Sequence, residues 1–587
     1  MSSPASGAGP RPHPMPRPMP GAKPRRALAL AWLALALLWF LPLDTPYLLN
    51  PDEGRYAEIP REMLVSGDWV TPRLDGIEYF EKPPLQYWTT AVAFEVAGLH
   101  AWTARLWSAL CGFLGLALTF LIGRRLYGER AARFGVIVQA GALLYAGLAR
   151  VATLDMGLCF TLQMAMSALA LLVHGSAAQP ADPVDPASPA NPADPVMPDR
   201  RLGSGSSALL LALGVALAML SKGLIGIVIP GVVALLYMLT YRDAGLLLRA
   251  KPWWSLAALG ALAAPWFVLV SRRHPGFAQF FFIFEHFQRF TSRAQFNRYE
   301  PPWFFVPVLA VGLLPWLTLL PRTLLEGVRA ARAERATGLL LLWAGFVFVF
   351  FSLSQSKLAT YILPMVPALS LLMGRSLARL PAARLAAHLG AVAAAAALAL
   401  IAALLITHWP RTARLVAGAS ASSEALFMGA LALLAAGAAA GSYCCRRGRP
   451  LLGGASAALG ALLLVEAVLL GLAQLPRAQA ERQLSRQLSP FIDRYRHFYC
   501  VNLYVQTAPF YLRRTCTLVA YRGELDYGLS REPRLGIDTL GQFAALWKRE
   551  RSALAILRAG DYQRLQSLGA PMHVIYTAPS FVAVVRE

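Results

Sequence analysis

Apolar runs recur along this chain from Ala27 to Ala473, and they restrict the folds that it can adopt more than any other feature does. A helix needs about 20 apolar residues to cross the hydrocarbon core of a bilayer, and most of the runs are about that long. Their residues do not alternate with the period of two that the strands of a membrane β-barrel show. The sequence therefore predicts an all-α polytopic membrane protein.

The basic residues between the runs predict how often the chain crosses the membrane. Cytoplasmic loops carry an excess of Lys and Arg. Segment 85–98 is short and contains Glu95, so we interpret it as a helix at the membrane surface rather than as a span. The four Arg residues of loop 123–133 then lie inside, as do the other strongly basic loops. This arrangement gives 13 spans, near 27–44, 102–122, 134–149, 151–174, 206–221, 223–240, 253–271, 302–320, 336–353, 358–374, 385–407, 424–442 and 451–473.

Composition divides the chain into three parts. Residues 1–26 are rich in Pro and Arg and form a basic cytoplasmic tail without a core of its own. Residues 27–474 form the transmembrane domain, with a long external loop at 45–101 and a Pro-rich cytoplasmic loop at 176–205. Residues 475–587 contain short β-like runs after a polar helical segment, which predicts a small external α/β domain.

Charge and cysteine content bear on the class of protein. The formal net charge is +23, but the basic residues lie mostly in loops between the spans, so the charge does not indicate nucleic-acid binding. None of the six Cys residues forms a Cys-x-x-Cys metal pattern. Cys500 and Cys516 lie in the C-terminal domain and would be able to pair if that domain faces an oxidising compartment.

The external loop between Pro51 and Trp88 concentrates acidic residues in an otherwise basic chain, with eight of the 32 Asp and Glu residues. Asp52 follows the first span, and Asp155 lies at the external end of another. An ionisable group at the edge of a membrane-spanning helix is costly unless it is paired or hydrated, so it indicates function. We predict that Asp52 and Asp155 are catalytic. The alternatives are solvation of Asp52 in a loop and a structural salt bridge from Asp155 to Arg150.

Basic residues on the outer side run against the usual charge bias and favour a phosphate site. Arg gives bidentate contacts to phosphate, and Lys provides a point charge. Arg55 and Lys82 lie in the first external loop, Arg289 lies in a later one, and Lys357 lies in the turn "SQSK". We predict that these four residues bind a phosphate group of the substrate.

Glu81 takes part in two further interpretations. Lys82 would pair with Glu78 or Glu81 within the loop if these charges serve structure alone. Glu81 with His286 or Glu285 would offer ligands to a divalent metal ion, although a solvent-facing or core histidine is the commoner case.

Several motifs resemble one family closely. The segment "PDEGRYAEIPREMLVSGDWVTPRLDGIEYFEKPPLQYW" is similar to the first periplasmic loop of the bacterial lipid A aminoarabinose transferases. The segments "RVATLDMGL", "SKGLIG", "EHFQRF" and "FFSLSQSKLATYILPMVPAL" also resemble that family. The resemblance covers residues 27–475 and, weakly, the tail. A shorter form of the first motif is shared with related families such as the protein O-mannosyltransferases.

The resemblance implies a GT-C glycosyltransferase fold in the bacterial inner membrane, with the active site on the periplasmic face. It implies an undecaprenyl-phosphate-linked sugar donor, a lipid A phosphate as acceptor, contact with membrane lipids and no nucleotide cofactor. Carried over by motif, it implies site roles for Asp52 and Asp155, for Tyr79, Glu81 and Lys82 in "YFEKPPL", and for Lys357 and Tyr361 in "SKLATYILP".

Two other functions stay open at this point. A related transferase would use the same donor chemistry on protein hydroxyls or on another glycan, with Asp52 as a base. A transporter or flippase would use intramembrane acids as a proton relay. The acids of this chain cluster in an outer loop rather than at the middle of the membrane, which disfavours the transporter.

Overall fold

The computed structural model describes residues 23–175, 204–288, 300–408 and 420–586. The first helix, α1 (Lys23–Phe40), is part of a unit that ends at Pro42. Apart from the helix Leu28–Asp44, all the features below belong to the second unit, which begins at Leu43.

The acidic loop folds into two helices and a hairpin. Helix α2 (Asp52–Ser66) ends at Gly67, whose φ of 71° is the left-handed conformation that glycine adopts most easily at a helix end. Strands β1 (Arg73–Leu74) and β2 (Ile77–Glu78) are joined by Asp75 and Gly76, which both have positive φ angles. Asp-Gly is the sequence that such a two-residue turn prefers. Helix α3 (Leu85–Ala97) follows and is 13 residues long, which is too short for an ordinary span.

Within the described residues, nine helices are long and apolar enough to cross a membrane. They are α4 (Ala101–Tyr127), Leu154–His174, Ser204–Lys222, Gly245–Arg273, Arg335–Leu353, Ala359–Ala378, Ala382–Thr407, Ala421–Arg446 and Pro450–Ala473.

The remaining predicted spans correspond to shorter or broken helices. Residues 302–330 form two helices at an angle of 113°, and the break contains Pro315, which has no N–H to continue a helix. Residues 129–148 form two helices, Glu129–Gly141 and Leu143–Leu148. The helices Leu28–Asp44 and Ile225–Tyr241 are apolar but short. All 13 predicted segments thus overlap helices, but four of them are not continuous helices of full spanning length.

The C-terminal part contains a six-stranded sheet. Its strands are β3 (His497–Val501), β4 (Thr517–Val519), β5 (Gly536–Ile537), β6 (Ala553–Leu557), β7 (His573–Thr577) and β8 (Val582–Arg586). Their order in the sheet is β5-β4-β3-β6-β8-β7. Strands β5, β4, β3 and β6 run parallel to one another. Strand β8 pairs with β6 in antiparallel fashion, and β7 pairs with β8 in the same way. The predicted runs form β3, β4, β6, β7 and β8. The sequence missed β5, which has two residues and hence no detectable period. The helices are Pro476–Leu488, Thr507–Leu512, Asp526–Arg531, Leu540–Arg549 and Ala559–Ser567.

The acidic loop and the α/β domain share one apolar core. Tyr56, Ile59 and Tyr79 of the loop pack in the same cluster as Leu484 and Phe498 of the domain. Every residue of α2 from Glu53 to Met63 is buried. The helical spacing of Tyr56, Ile59, Met63 and Leu64 predicts a short surface helix here, and this prediction is wrong because the C-terminal domain covers α2.

The aromatic residues of the loop are buried for the same reason. From the sequence, most of these aromatic residues are predicted to anchor the loop at the level of the lipid headgroups, where Trp and Tyr are enriched. Tyr79, Phe80 and Tyr87 instead lie almost completely out of solvent. Their role in the fold is to join the loop to its neighbours, and this packing fixes the charged residues on either side of them.

Candidate active site

A cavity of about 370 Å³ opens between the acidic loop and the transmembrane helices. One set of lining residues is charged or polar, and another is apolar. The polar set contains Glu81, Lys82, Asp155, Lys222, Glu285, His286, Ser354, Ser356, Thr360 and Tyr361. The apolar set contains Leu158, Leu224, Ile225, Val228, Phe287, Phe350, Phe351 and Pro364. The cavity therefore suits a molecule with a charged head and a hydrocarbon chain.

Asp155 lies in the first turn of helix Leu154–His174, where the helix dipole favours a carboxylate. It forms an ion pair with Lys222, and the ammonium of Lys222 lies 4.8 Å from the ring centre of Tyr361. The alternative pairing of Asp155 with Arg150 is wrong, because Arg150 pairs with Glu466 of the last long transmembrane helix. Asp155 thus belongs to the cavity.

Sequence reasoning missed Lys222, although it lies in the quoted motif "SKGLIG". Gly223 follows it with a φ of +78°, and a Cβ at this position would lie 2.5 Å from Nε2 of His286. A glycine is therefore required just where the helix ends and its lysine enters the cavity. A single Lys at the end of an apolar segment was the signal that could have identified it.

Lys82 lies between two carboxylates of the cavity. Its Nζ is 3.1 Å from Glu285 Oε2 and 3.7 Å from Glu81 Oε2. The hydroxyl of Tyr79 donates a hydrogen bond of 3.1 Å to Glu81. The alternative pairing of Lys82 within the loop is thus partly correct, but Glu285 comes from another segment.

Asp52 and Arg55 lie at the start of α2, and they do not line the cavity itself. Arg55 donates a hydrogen bond to Asp52, and its guanidinium carbon lies 5.2 Å and 5.8 Å from the ring centres of Tyr56 and Tyr79. The Arg55 side chain is 8% exposed, whereas that of Asp52 is 53% exposed. Asp52 is therefore open to an incoming molecule, while Arg55 is held below it.

Tyr56 lies within electrostatic reach of both predicted catalytic acids. Burial raises the pKa of its phenol, and the charge of Arg55 opposes this rise. Asp52, Glu81 and Asp155 raise the pKa further. The charges of both predicted acids and of the cavity residue Glu81 thus act on one buried phenol.

Glu53 connects the two halves of the site. Its carboxylate accepts two hydrogen bonds of 2.7 Å from Arg105 of α4 and one of 2.9 Å from the amide of Ala152. Glu53 follows Asp52, and Ala152 precedes Asp155 by three residues, so this buried pair sets the distance between the two acids. The sequence signal was Arg105, a cation near the start of an apolar helix.

Comparison with known proteins shows two family matches in different parts of the chain. The family described as "Aminoarabinose transferase C-terminal domain" matches residues 484–586, and "Dolichyl-phosphate-mannose-protein mannosyltransferase" matches residues 81–179. The crystal structure of ArnT from Cupriavidus metallidurans bound to undecaprenyl phosphate has a TM-score of 0.83 and 32% sequence identity. That alignment covers 95% of this chain and 98% of the other. This chain belongs to the ArnT family.

Curated relatives of the ArnT family match over a shorter length. Undecaprenyl phosphate-alpha-4-amino-4-deoxy-L-arabinose arabinosyl transferase 2 of Pseudomonas fluorescens is 36% identical over 60% of this chain and 56% of its own length. Transferase 1 of Sodalis glossinidius is 35% identical over 58% of each chain. The match thus spans less than two thirds of these curated relatives. The predicted all-α GT-C membrane fold with a small C-terminal α/β domain is confirmed.

Of the four predicted phosphate ligands of this ArnT-family chain, Lys82 alone lines the cavity among the described residues. The ammonium of Lys357 donates to the backbone carbonyls of Glu300 and Ser354 at 2.8 and 2.5 Å. Its neighbours Ser356 and Tyr361 line the cavity, but Lys357 does not. Arg289 lies outside the described residues.

The predicted metal ligands Glu81 and His286 both line the cavity, but both ring nitrogens of His286 have contacts with the protein. His286 Nδ1 lies 2.6 Å from the carbonyl of Phe281, and the amide of Leu224 donates to Nε2. Burial lowers the pKa of His286. Among the described residues, no three His, Cys, Asp or Glu side chains gather into a potential metal site. A metal ion stays a prediction, and no step below depends on it.

Three other acids of the loop form a separate group, the buried acid cluster of Glu58, Glu62 and Asp75. Arg61 donates to Glu58 at 2.7 and 2.5 Å, and the amides of Asp75 and Gly76 donate to Glu62. Burial raises the pKa of all three carboxyls, that of Asp75 to about 7. None of them lines the cavity, so much of the acidity of the loop does not belong to the candidate site.

Asp75 connects the buried acid cluster to the C-terminal domain. Its carboxyl accepts hydrogen bonds from the Tyr504 hydroxyl and from the amide of Cys516. Cys516 and Cys500 are both buried, and no disulfide joins them in this structure. Their pairing stays a prediction.

Proposed function

We propose that this protein transfers 4-amino-4-deoxy-L-arabinose from undecaprenyl phosphate to a phosphate group of lipid A. The observation that carries the proposal is the cavity, which combines an apolar body with two lysines and three carboxylates at its polar end. The likeness over the whole chain to an ArnT structure with bound undecaprenyl phosphate supports the donor. The lipid A acceptor follows from the family resemblance.

We place the site on the periplasmic face of the bacterial inner membrane. The support is the distribution of basic residues, since the strongly basic loops fall on the side opposite to the acidic loop. The acidic loop and the α/β domain pack together, so they lie on the same side. A periplasmic site also fits a donor that is carried by a lipid rather than by a nucleotide.

The donor phosphate is the leaving group of the reaction. The bond between the anomeric carbon and the donor phosphate oxygen breaks, and undecaprenyl phosphate leaves with an additional negative charge. Lys82 and Lys222 line the cavity and would stabilise that charge, and Arg55, whose charge acts on the cavity residue Glu81, would assist them. Fixed charges that stabilise a developing charge usually make the largest contribution to catalysis.

The acceptor phosphate attacks the anomeric carbon, and a new carbon–oxygen bond forms with inversion. This phosphate is already anionic, so the reaction does not require a strong base. Asp155 on the cavity wall and the exposed carboxylate of Asp52 would instead bind the ammonium of the aminosugar or position the acceptor. Two carboxylates suit a cationic sugar.

One observation favours a second candidate. Residues 81–179 match the description of a protein mannosyltransferase, which uses hydroxyl acceptors. With such an acceptor, Asp52 would serve as the general base. The match covers part of the transmembrane region, whereas the aminoarabinose transferase description covers the C-terminal domain.

Mass spectrometry of lipid A distinguishes the two. A host without its own transferase would express this chain, the variant Asp52→Asn or the control Asp68→Asn. Asp68 lies in the same loop, but its carboxylate accepts from the amides of Val70 and Thr71 and pairs with Arg273. We expect added aminopentose with the wild type and with Asp68→Asn, and none with Asp52→Asn. Unmodified lipid A with well-expressed wild type would overturn the proposal and favour the hydroxyl acceptor.

A further inference from the structure

The C-terminal domain holds the start of α2, where Asp52 lies. The amide of Thr507 donates a hydrogen bond of 3.1 Å to the side chain of Asn50. A Cβ at Gly54 would lie 2.5 Å from the backbone of Gln506, so the two chains touch without room for a side chain. This contact fixes α2 against the domain on either side of Asp52.

Glu524 of the same domain reaches Arg55. One oxygen of its carboxylate lies 3.7 Å from a terminal nitrogen of Arg55, which is an ionic contact but longer than a hydrogen bond. The hydroxyl of Tyr521 donates to the other carboxylate oxygen at 3.1 Å, and the side-chain amide of Gln506 donates to the first oxygen. Glu524 is therefore held by its own domain and does not need Arg55 to stay in place.

Arg55 has a hydrogen-bond donor that no described residue uses. Its terminal nitrogen donates to Asp52, but among the described residues its buried Nε atom has no acceptor. Nε and the nitrogen bonded to Asp52 form the edge with which a guanidinium binds two oxygens of one anion. Arg55 can therefore donate hydrogen bonds to a phosphate from this edge, while its other terminal nitrogen faces Glu524.

We propose that Glu524 is a second resting counter-ion of Arg55, beside Asp52, and that it lowers the affinity of the site for polyprenyl phosphate. The carboxylate balances the buried guanidinium when no phosphate is bound. When a phosphate binds, Glu524 adds a negative charge close to it and favours its release. The C-terminal domain thus sets how fast the lipid phosphate product leaves. This inference rests on the proposed function, in which Arg55 contacts that phosphate.

The test measures binding of undecaprenyl phosphate to the full-length protein in detergent, together with product inhibition of transfer. Glu524→Gln removes the negative charge but keeps the shape of the side chain and one oxygen that accepts from the side-chain amide of Gln506. The matched control is Glu532→Gln, because Glu532 is a carboxylate of the same domain that lies 3.0 Å from another loop arginine, Arg73. Arg73 is not next to Asp52 or the cavity.

We expect Glu524→Gln to bind undecaprenyl phosphate about fivefold more tightly. The variant removes a carboxylate whose repulsion of the bound phosphate is weakened by the solvent and the protein around it. Its kcat falls because product release slows, and its KM for the donor falls as well. Glu524→Ala removes the same charge and gives the same direction, with unfolding temperatures confirming that both variants fold. Glu532→Gln leaves the affinity unchanged. Unchanged or weaker binding by both Glu524 variants would overturn the inference.

The variant Arg55→Gln separates this inference from the proposed function. If it weakens binding while the Glu524 variants have no effect, Arg55 binds the phosphate and the counter-ion role of Glu524 is wrong. If it leaves binding unchanged, Arg55 does not contact the phosphate, and the phosphate role proposed for it fails together with the inference.

Discussion

Acidic side chains gather in two regions of this molecule, and their surroundings differ. At the cavity, Asp155 pairs with Lys222, and Glu81 and Glu285 flank Lys82. In the buried acid cluster, three carboxyls share one arginine and otherwise accept hydrogen bonds from backbone amides and a tyrosine. The first region places three acids against two lysines beside open space, whereas the three acids of the second are buried with one arginine. We infer that the acids of the loop have two roles: Glu81 belongs to the proposed site, and the buried acid cluster attaches the C-terminal domain.

The largest expected effect is on stability, at the buried acid cluster. Arg61→Met leaves Glu58 buried without its cation, and removal of one partner of a buried pair costs about 3–5 kcal/mol. We expect a marked fall in unfolding temperature and reduced amounts of protein in the membrane. Arg273→Met is the control, because its pair with Asp68 is exposed and worth about 0–1 kcal/mol. Equal effects of the two changes would remove the distinction between the sealed region and the surface.

The next largest effect is on catalysis at the cavity. Lys82→Gln removes a charge that would stabilise the leaving phosphate, and we expect kcat to fall by about 10²–10³. The unfolding temperature changes little, because Lys82 lies beside open space rather than in a sealed core. Initial rates with a purified donor lipid measure the effect. Lys548→Gln, an exposed lysine of the C-terminal domain, is the control. A large loss of stability in Lys82→Gln would mean that the cavity charges serve the fold.

A smaller effect is expected in the dependence of stability on pH. The pKa of Asp75 is raised from 3.8 to about 7, first by burial and next by the charge of Glu58. Because the folded state favours the neutral carboxyl, this contribution to stability is complete below pH 4 and is lost as the pH rises towards 7. Asp75→Asn should therefore flatten the decrease in unfolding temperature between pH 5 and 8. Parallel curves for the wild type and the variant would contradict the raised pKa.

The sequence predicted the spans and most strands because hydrophobic length and period depend on local residues. It also identified Asp155, Glu81, Lys82 and Tyr361, which line the cavity. It could not assign partners, because these depend on tertiary packing. Lys222 is 67 residues from Asp155, and Glu285 is 203 residues from Lys82. The burial of α2 was equally unpredictable, since its cover is a domain more than 400 residues away in the chain.

One measurement tests the distinction between the two regions most directly. Lipid A from a host without its own transferase would be analysed by mass spectrometry after expression of Asp155→Asn or Asp75→Asn at equal membrane levels. The account predicts no aminopentose with Asp155→Asn and nearly normal addition with Asp75→Asn, whose amide resembles the neutral carboxyl of the folded state. Normal addition with Asp155→Asn, or loss confined to Asp75→Asn, would contradict the assignment of chemistry to the cavity and of attachment to the buried acid cluster.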